Sequence, residues 1–190
     1  MEKKVKQVKK RNGRLQTLDI NKVNLCVQRA CDGLGDVSAS EVVIDADVQF
    51  YEKIPTKEID KALIMSARAK IEKEPNYSKV ASALAANALY KEVFRESVDS
   101  DTFELQYRKA FVQNIKKLVK AEILSAKLLD FDLKKISEAM QPERDSLFKY
   151  LGLQILIDRY FTRHNNKIME TQQAFWMRFG MGLSINEENK

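Results

Sequence analysis

A cluster of cations around a tight turn is the part of this sequence best suited to ligand chemistry. Lys10, Arg11 and Arg14 lie within two residues of the dipeptide Asn12-Gly13, which favours a turn. A lysine ammonium neutralises phosphate as a point charge, and the planar guanidinium of an arginine can bridge two phosphate oxygens. These residues therefore predict a polyphosphate site whose cations are held by a turn.

The net charge of the chain is concentrated in the same segment. Residues 1–14 contain seven basic residues and one acid, which leaves 26 basic and 26 acidic residues in the rest of the 190-residue chain. The formal charge of +6 therefore corresponds to one small patch. Nucleic-acid-binding proteins spread basic residues over a wider surface. We therefore expect a nucleotide-sized ligand and not a nucleic acid.

The composition excludes several other classes of protein. A hydrophobic content of 44% and a charged content of 32% are ordinary for a globular protein. No apolar run approaches the ~18 residues that a membrane-spanning helix needs. The basic N-terminus is not followed by the apolar stretch of a signal peptide. We expect a cytoplasmic protein that does not enter a membrane.

The residues that could act as nucleophiles or metal ligands do not form a recognisable catalytic set. Cys26 and Cys31 are five positions apart in a helical pattern, which separates them by about 140° around the helix axis. We expect both to be reduced and packed as small hydrophobic side chains. The only histidine, His164, is expected to be an exposed loop residue because two asparagines follow it. No catalytic residue and no protein-held metal are predicted.

The elements that position the cations can be predicted from turn signals and hydrophobic periodicity. An Asn-Gly pair between two extended segments predicts a β-hairpin, because both residues tolerate positive φ. Helical spacing and capping residues predict four helices after it. The expected boundaries are strands at residues 5–10 and 15–19, and helices from Lys22 to about Gly33, from Ser38 (a capping box with Glu41) to about Phe50, from the N-cap Thr56 to about Ile71, and from Tyr77 to about Phe94.

A second, mainly helical half follows a short polar segment. Apolar periodicity stops at Glu96 to Asp101 and resumes at Phe103, which predicts domains of residues 1–95 and 96–190. The fold class is mainly α. The elements expected beyond the boundary are helices at Phe103 to Leu124, Asp132 to Met140 and Glu143 to Asp158, a second small hairpin within Arg159 to Glu170, and a last helix that Thr171 caps and that runs to Leu183.

Five segments of the chain together resemble one enzyme family. VKKRNGRLQTLDINKV is similar to the opening motif of the ATP-cone, the nucleotide-binding regulatory domain of ribonucleotide reductases. VQFYEKIPTKEIDKALIMSA and EPNYSKVASALAANALYKEVF resemble later helices of the cone. ERDSLFKYLGLQILIDRYFTR and KIMETQQAFWMRFGMGLSINE resemble the helical start of the catalytic domain in class I large (alpha) subunits. The resemblance implies a hairpin over a four-helix bundle, followed by a helical reductase segment.

The resemblance also implies a set of contacts to the allosteric effector, ATP or dATP, with Mg²⁺ on its phosphates. Lys10, Lys22 and Lys91 would neutralise the triphosphate, and Arg11 would bridge two of its oxygens. Thr56 would donate its hydroxyl at a helix start. Backbone groups between Gln16 and Asn21 would surround the base and sugar. The full set is Lys10, Arg11, Gln16, Thr17, Leu18, Asp19, Ile20, Asn21, Lys22, Thr56, Asp60 and Lys91.

The sequence departs from the family pattern at four positions. Gln16 stands where many cones have glutamate, and Asn12 stands where aspartate is common. Asp60 stands where a histidine is often found near the ribose. In the second half, Gln172 replaces the proline of the METPQ motif, which loosens the first helical turn that follows.

The function that the resemblance implies is overall-activity regulation of ribonucleoside-diphosphate reductase. This oxidoreductase uses thioredoxin or glutaredoxin and converts ribonucleotides to deoxyribonucleotides for DNA synthesis. In the family, ATP permits activity, dATP suppresses it, and the catalytic cysteines lie beyond the region matched here. We therefore expect these 190 residues alone to be non-catalytic. The implied partners are the remainder of the large subunit, the radical-generating small (beta) subunit, and further copies in a homo-oligomer.

Two other functions are compatible with parts of the sequence. One is a stand-alone ATP-cone regulator that binds nucleic acid or a partner protein, as in a bacterial repressor of reductase genes. That repressor also carries a zinc ribbon with paired CxxC motifs, and the sequence contains none. The other is a helical interaction module without a ligand.

Overall fold

The structure is a computed structural model, and it describes residues 6–95, 98 and 100–187. The described chain is mainly helical and divides into two compact units. The first unit comprises Met1–Ala88 with Phe148–Gly152, and the second comprises Leu89–Leu147 with Leu153–Lys190. Among the described residues, no helix combines the length and the apolarity needed to cross a bilayer.

The first unit contains the predicted hairpin and helices, with one additional strand. The hairpin is confirmed, and the helix predicted from Tyr77 to Phe94 has those bounds. In chain order the elements are β1 (Gln7–Lys9), β2 (Leu15–Thr17), α1 (Ile20–Cys31), α2 (Ala39–Asp47), β3 (Ile54–Pro55), α3 (Thr56–Ala69) and α4 (Tyr77–Phe94), of which α4 continues into the second unit.

Within the described residues, β1 is the central strand of a three-stranded sheet. β2 pairs with it in antiparallel orientation and β3 in parallel orientation. The parallel register places Val8 opposite Ile54 and Lys9 opposite Pro55. Val8 and Ile54 are only 3% and 1% exposed, so this pairing is part of the apolar core. Proline is tolerated in β3 because an edge strand has one side without a partner strand.

The turn between β1 and β2 has a different geometry from the one expected. Gly13 has a φ of 83°, whereas Asn12 has no positive φ. The Gly13 N–H donates to the Lys10 carbonyl at 2.9 Å, and the Lys10 N–H donates to the Arg14 carbonyl at 2.8 Å. This is the pattern of a type I turn followed by a left-handed glycine. Asn12 acts through its side chain, which accepts from the Arg14 N–H at 3.1 Å.

Side-chain caps determine where α1 and α2 begin. α1 starts two residues earlier than predicted because the Asp19 carboxylate accepts from the N–H groups of Asn21 and Lys22. The predicted cap of α2 is confirmed, since the Ser38 hydroxyl accepts from the Glu41 N–H at 3.3 Å. α2 ends three residues before the predicted Phe50.

The predicted N-cap of α3 is wrong by one residue. Pro55 occupies the N-cap position and Thr56 is the first helical residue. Proline has a fixed φ and directs the chain from β3 straight into the helix, with an observed φ of −63°. No side chain caps the first turn of α3. Its first backbone N–H groups therefore lack the side-chain acceptor that the starts of α1 and α2 have.

The second unit is helical as predicted, but one of its helices is divided. The prediction of a single helix from Glu143 to Asp158 is wrong, because the backbone there forms three short helical segments. Near the start of this stretch, the Asp145 carboxylate is buried and hydrogen-bonded in the interior. The elements are α5 (Phe103–Lys120), a 3₁₀ helix (Ala126–Asp130), α6 (Leu133–Glu138), a 3₁₀ helix (Pro142–Leu147), α7 (Tyr150–Ile155), a π-helical turn (Leu156–Tyr160), β4 (Arg163–His164), β5 (Lys167–Ile168) and α8 (Gln172–Leu183), of which α7 begins in the first unit.

Two further expectations for the second unit change in detail. The second hairpin is confirmed, but His164 is a half-buried residue of β4 and not an exposed loop residue, because the turn is made by Asn165 and Asn166 with φ values of 50° and 58°. Thr171 is at the N-cap of α8 as expected, although its side chain makes no capping hydrogen bond. The domain boundary at residue 95 stays a prediction, and Glu96, Ser97 and Asp99 lie outside the described residues.

A buried carboxylate organises the core of the second unit. Asp145 is 4% exposed, and one of its oxygens accepts from the hydroxyls of Tyr90 at 2.9 Å and Tyr107 at 2.7 Å. Burial raises the pKa of Asp145 from 3.8 to about 6, against the opposing effect of the tyrosine hydrogen bonds. Burial also raises the pKa of both tyrosines, so they remain hydrogen-bond donors at neutral pH.

We predict that Asp145 makes the folded protein less stable as the pH rises from 4 to 7. The pKa is higher in the folded than in the unfolded state, so the folded protein binds more protons in this interval and loses stability as they dissociate. Up to about 3 kcal/mol of unfolding free energy depends on this group. Urea unfolding at several pH values should show a smaller decline for Asp145→Asn than for wild type. Exposed Glu138→Gln is the control, and an unchanged slope in Asp145→Asn would contradict the assignment.

Candidate functional site

The end of β1 and the start of α3 come together at one edge of the sheet. Lys9 lies opposite Pro55, so the next residues, Lys10 and Thr56, leave the parallel strands at the same end. The first turn of α3 has no side-chain cap, and it presents its N–H groups and the positive end of the helix dipole there. This edge therefore combines a cation with backbone donors that suit an anion.

An ion pair ties the hairpin turn to this edge. The Arg11 guanidinium donates to the Asp60 carboxylate at 3.1 Å and to the carbonyl of Ala88 in α4 at 3.4 Å. The Asp60 side chain is only 13% exposed, and Arg11 is 32% exposed. Asp60 is one helical turn after Thr56 on the same face of α3. Four of the predicted residues, Lys10, Arg11, Thr56 and Asp60, are thus brought together and form the Lys10 group.

Lys10 is the cation of this group that has no bound acid. Lys10 is a half-buried residue, and its ammonium makes no hydrogen bond or ion pair with any residue that the structure describes. Lys6, at the other end of β1, is bound by the Phe50 carbonyl at 2.9 Å and lies 3.8 Å from Asp47. An unpaired ammonium favours an anionic ligand, since the ligand neutralises its charge.

The remaining predicted residues of the first unit lie toward the opposite end of β1. Thr17 pairs with Gln7, and the Leu18 N–H donates to the Lys6 carbonyl at 2.8 Å. At ~3.3 Å per strand residue, this end is roughly 13 Å from Lys10. The residues that lie along β2 or follow it at this end are Gln16, Thr17, Leu18, Asp19, Ile20, Asn21 and Lys22.

Lys22 lies apart from the Lys10 group, and Lys91 belongs to the second unit. Lys22 lies near the end of β1 opposite to the turn, and its side chain is 71% exposed. Its ammonium is 3.8 Å from the Asp19 carboxylate, so the structure does not bring it to the turn. Lys91 is in the last turn of α4, three residues after Ala88, and belongs to the second unit. Neither position changes the grouping of Lys10 with the start of α3.

Two contributors to the site were not predicted from the sequence. β3 has only two residues, Ile54–Pro55, which is too short for a periodic signal. The Ala88 carbonyl is a backbone group, and no residue type marks it.

Both cysteines are free thiols, as predicted, and burial raises the pKa of Cys31. In the described part of the chain, no group of three or more histidine, cysteine or acidic side chains could hold a metal ion.

Comparisons with protein families match both halves of the chain. Residues 6–92 match the ATP cone domain, a range that includes the Lys10 group and Lys91. Residues 146–190 match the ribonucleotide reductase all-alpha domain. The two matches occur in the order in which the resembling segments appear in the sequence.

The chain is also similar to named proteins over almost its whole length. It is 37% identical to the ribonucleoside-diphosphate reductase subunit alpha of Chlamydia trachomatis over 97% of this chain and 18% of that protein. It is 39% identical to the subunit alpha of Helicobacter pylori over 95% of this chain and 22% of that protein. The subunit alpha of Haemophilus influenzae is 27% identical over 93% of this chain and 23% of that protein.

The chain spans about a fifth of the length of the curated relatives it matches. The two family matches and the relatives agree on one assignment. Residues 6–92 are an ATP cone domain, and the chain belongs, as an N-terminal portion, to the ribonucleoside-diphosphate reductase alpha-subunit family.

Proposed function

We propose that the ATP cone binds ATP or dATP as an allosteric effector, with the triphosphate at the edge where β1 meets α3. The observation that carries the proposal is the unpaired, half-buried Lys10 beside the uncapped first turn of α3. Arg11 adds a guanidinium at the same edge. Cations combined with the N–H groups of a helix start that no side chain caps match the charge and the hydrogen-bond acceptors of a polyphosphate.

The nucleotide would extend along β1 from its phosphates to its base. Lys10, Arg11 and Thr56 would hold the phosphates, and the segment from Gln16 to Asn21 would hold the base and sugar. The roughly 13 Å from Lys6 to Lys10 along the strand suits an extended nucleoside triphosphate. Lys91 would supply a further cation, and Mg²⁺ would bind through the phosphates.

The effector would act through the bonds that Arg11 makes. A phosphate that competes for the guanidinium weakens its bonds to Asp60 in α3 and to the Ala88 carbonyl in α4. Such a change can shift a two-state equilibrium if ATP and dATP make different contacts in the two states. Coupling of about 1 to 3 kcal/mol is typical of allosteric proteins and would be enough to change the dominant assembly.

The activity that this site would regulate is ribonucleoside-diphosphate reduction, which supplies deoxyribonucleotides for DNA synthesis in the cytoplasm. The names of the curated relatives support this proposal. ATP would permit the reaction and dATP would suppress it. The partners would be the rest of the alpha subunit, the radical-generating beta subunit, and further copies of the alpha subunit.

We expect Lys10→Ala and Lys91→Ala each to weaken ATP binding by about tenfold or more, because each removes a cation that neutralises the triphosphate. Isothermal titration calorimetry of the 190-residue chain with ATP and dATP in the presence of Mg²⁺ measures this effect. Lys79→Ala is the matched control, since Lys79 is an exposed lysine in the first turn of α4.

The calorimetric titration has two outcomes that contradict the proposal in different ways. If folded wild type binds neither nucleotide in the micromolar range, the cone is not an effector site. If binding survives both substitutions, or Lys79→Ala weakens it equally, the assignment of Lys10 and Lys91 is wrong.

We further predict that Asp60→Asn tightens ATP binding about threefold to tenfold, equivalent to roughly 0.7 to 1.4 kcal/mol. In the unliganded protein, the Asp60 carboxylate forms an ion pair with the Arg11 guanidinium, and its negative charge repels phosphate. Removal of its charge leaves Arg11 available without deleting a cation. Asp45→Asn is the control, because Asp45 pairs with Lys70 at 2.6 Å in a different part of the first unit. Equal or weaker ATP affinity in Asp60→Asn would show that the Arg11–Asp60 pair does not compete with the ligand.

A further inference from the structure

The second unit contains a basic groove that the proposed effector site does not use. The groove has a volume of about 220 Å³ and lies between the end of α4 and one face of α5. Its polar lining comes from three cations and three amide side chains, and no carboxylate is among the described residues that line it. These six are Arg95, Lys109, Lys117, Gln106, Gln113 and Asn114.

The geometry of α5 places its polar residues in the groove. Gln106, Lys109, Gln113 and Lys117 recur at intervals of three and four residues, which puts them on one face of the helix. Asn114 completes this face and is fixed by a 2.9 Å hydrogen bond from its amide to the Met169 carbonyl. The face is therefore a continuous row of donors and cations along about three helical turns.

Arg95 closes the groove from the end of α4. It directly follows the last residue of that helix and has a φ of 62°, which turns the chain sharply at this point. One terminal nitrogen of its guanidinium contacts the sulfur of Met169 at 3.3 Å. Because Met169 contacts both Arg95 and Asn114, it connects the two sides of the groove.

Stabilisation of helix ends explains the positions of only some of the cations in the groove. Lys117 is in the last turn of α5 and Arg95 follows α4, positions where cations stabilise a helix end. Lys109 is in the middle of α5, where the dipole has little effect. Neither Lys109 nor Lys117 makes an ion pair or hydrogen bond with a described residue, whereas neighbouring Arg108 is paired with Glu104 at 3.1 Å. With no acid among the described lining residues, these like charges would repel each other.

We propose that this groove binds a phosphate group, either of a small inorganic phosphate or of the phosphate end of a nucleotide. Two ammonium groups would neutralise the anion, the guanidinium would bridge two of its oxygens, and the glutamine amides would donate further hydrogen bonds. The volume is smaller than the ~300 Å³ lower bound for pockets that hold drug-sized ligands, so it suits an anion of few atoms. None of the lining residues belongs to the proposed ATP-effector set.

The test is a nuclear magnetic resonance titration of the ¹⁵N-labelled 190-residue chain with pyrophosphate, followed at the backbone amides of α5. Wild type should show saturable shifts between Gln106 and Lys117. The double variant Lys109→Ala/Lys117→Ala should bind at least tenfold more weakly at this site. The matched control is Lys116→Ala/Lys120→Ala, which removes two exposed lysines of the same helix that do not line the groove. It should change the affinity less than twofold.

Each outcome bears on the proposal. Equal weakening in the two double variants would show diffuse attraction to a basic helix, and absence of saturable shifts on α5 would show that no site exists there. Either result overturns the inference. A parallel titration with ATP distinguishes the sources of the phosphate, since shifts of the same α5 amides by ATP identify a nucleotide and shifts by pyrophosphate alone identify an inorganic anion. Thermal melting of both variants checks that the fold is retained.

Discussion

The parallel pairing of β1 with β3 is the interaction on which the candidate effector site depends. It buries Val8 and Ile54 and sets Lys9 opposite Pro55. That register brings the basic turn to the start of α3. A shift of one residue would move every side chain of β1 to the other face and expose Val8. The apolar core therefore fixes the position of the cations.

The same register explains why the start of α3 is available to a ligand. Pro55 ends the strand and starts the helix without an intervening capping residue, so the first turn has no side-chain acceptor. α1 and α2 begin with Asp19 and Ser38, which satisfy their own first N–H groups. The same edge contains the Arg11–Asp60 ion pair. One guanidinium thus connects the hairpin turn to two helices, α3 and α4.

The features that could be predicted from the sequence are those with local signals. The Asn-Gly turn, the cap at Ser38 and the periodic helix from Tyr77 to Phe94 all depend on neighbouring residues, and the structure has each of them. β3 could not be predicted, because two residues carry no period and their pairing with β1 spans 46 positions from Val8 to Ile54. The pairing of Arg11 with Asp60 is equally nonlocal, since the two residues are 49 positions apart.

Buried polar side chains were a second reason why parts of the structure could not be predicted from the sequence. The helix predicted from Glu143 is divided where Asp145 is buried against Tyr90 and Tyr107. Hydrophobic periodicity assigns acidic residues to the surface, so it could not predict this buried carboxylate. Of the twelve predicted effector contacts, only Lys10 and Arg11 were also indicated by the cations around the turn, and the other ten came from the family resemblance alone. The structure brings Lys10, Arg11, Thr56 and Asp60 to one edge and leaves Lys22 at the other end of β1.

A crystal structure of the chain with ATP and Mg²⁺ tests the central claim most directly. The account predicts that the triphosphate lies within hydrogen-bond distance of the Lys10 ammonium and the first N–H groups of α3, with Arg11 turned from Asp60 toward a phosphate oxygen. A triphosphate bound elsewhere, with the Lys10 edge empty and the Arg11–Asp60 pair intact, would contradict it.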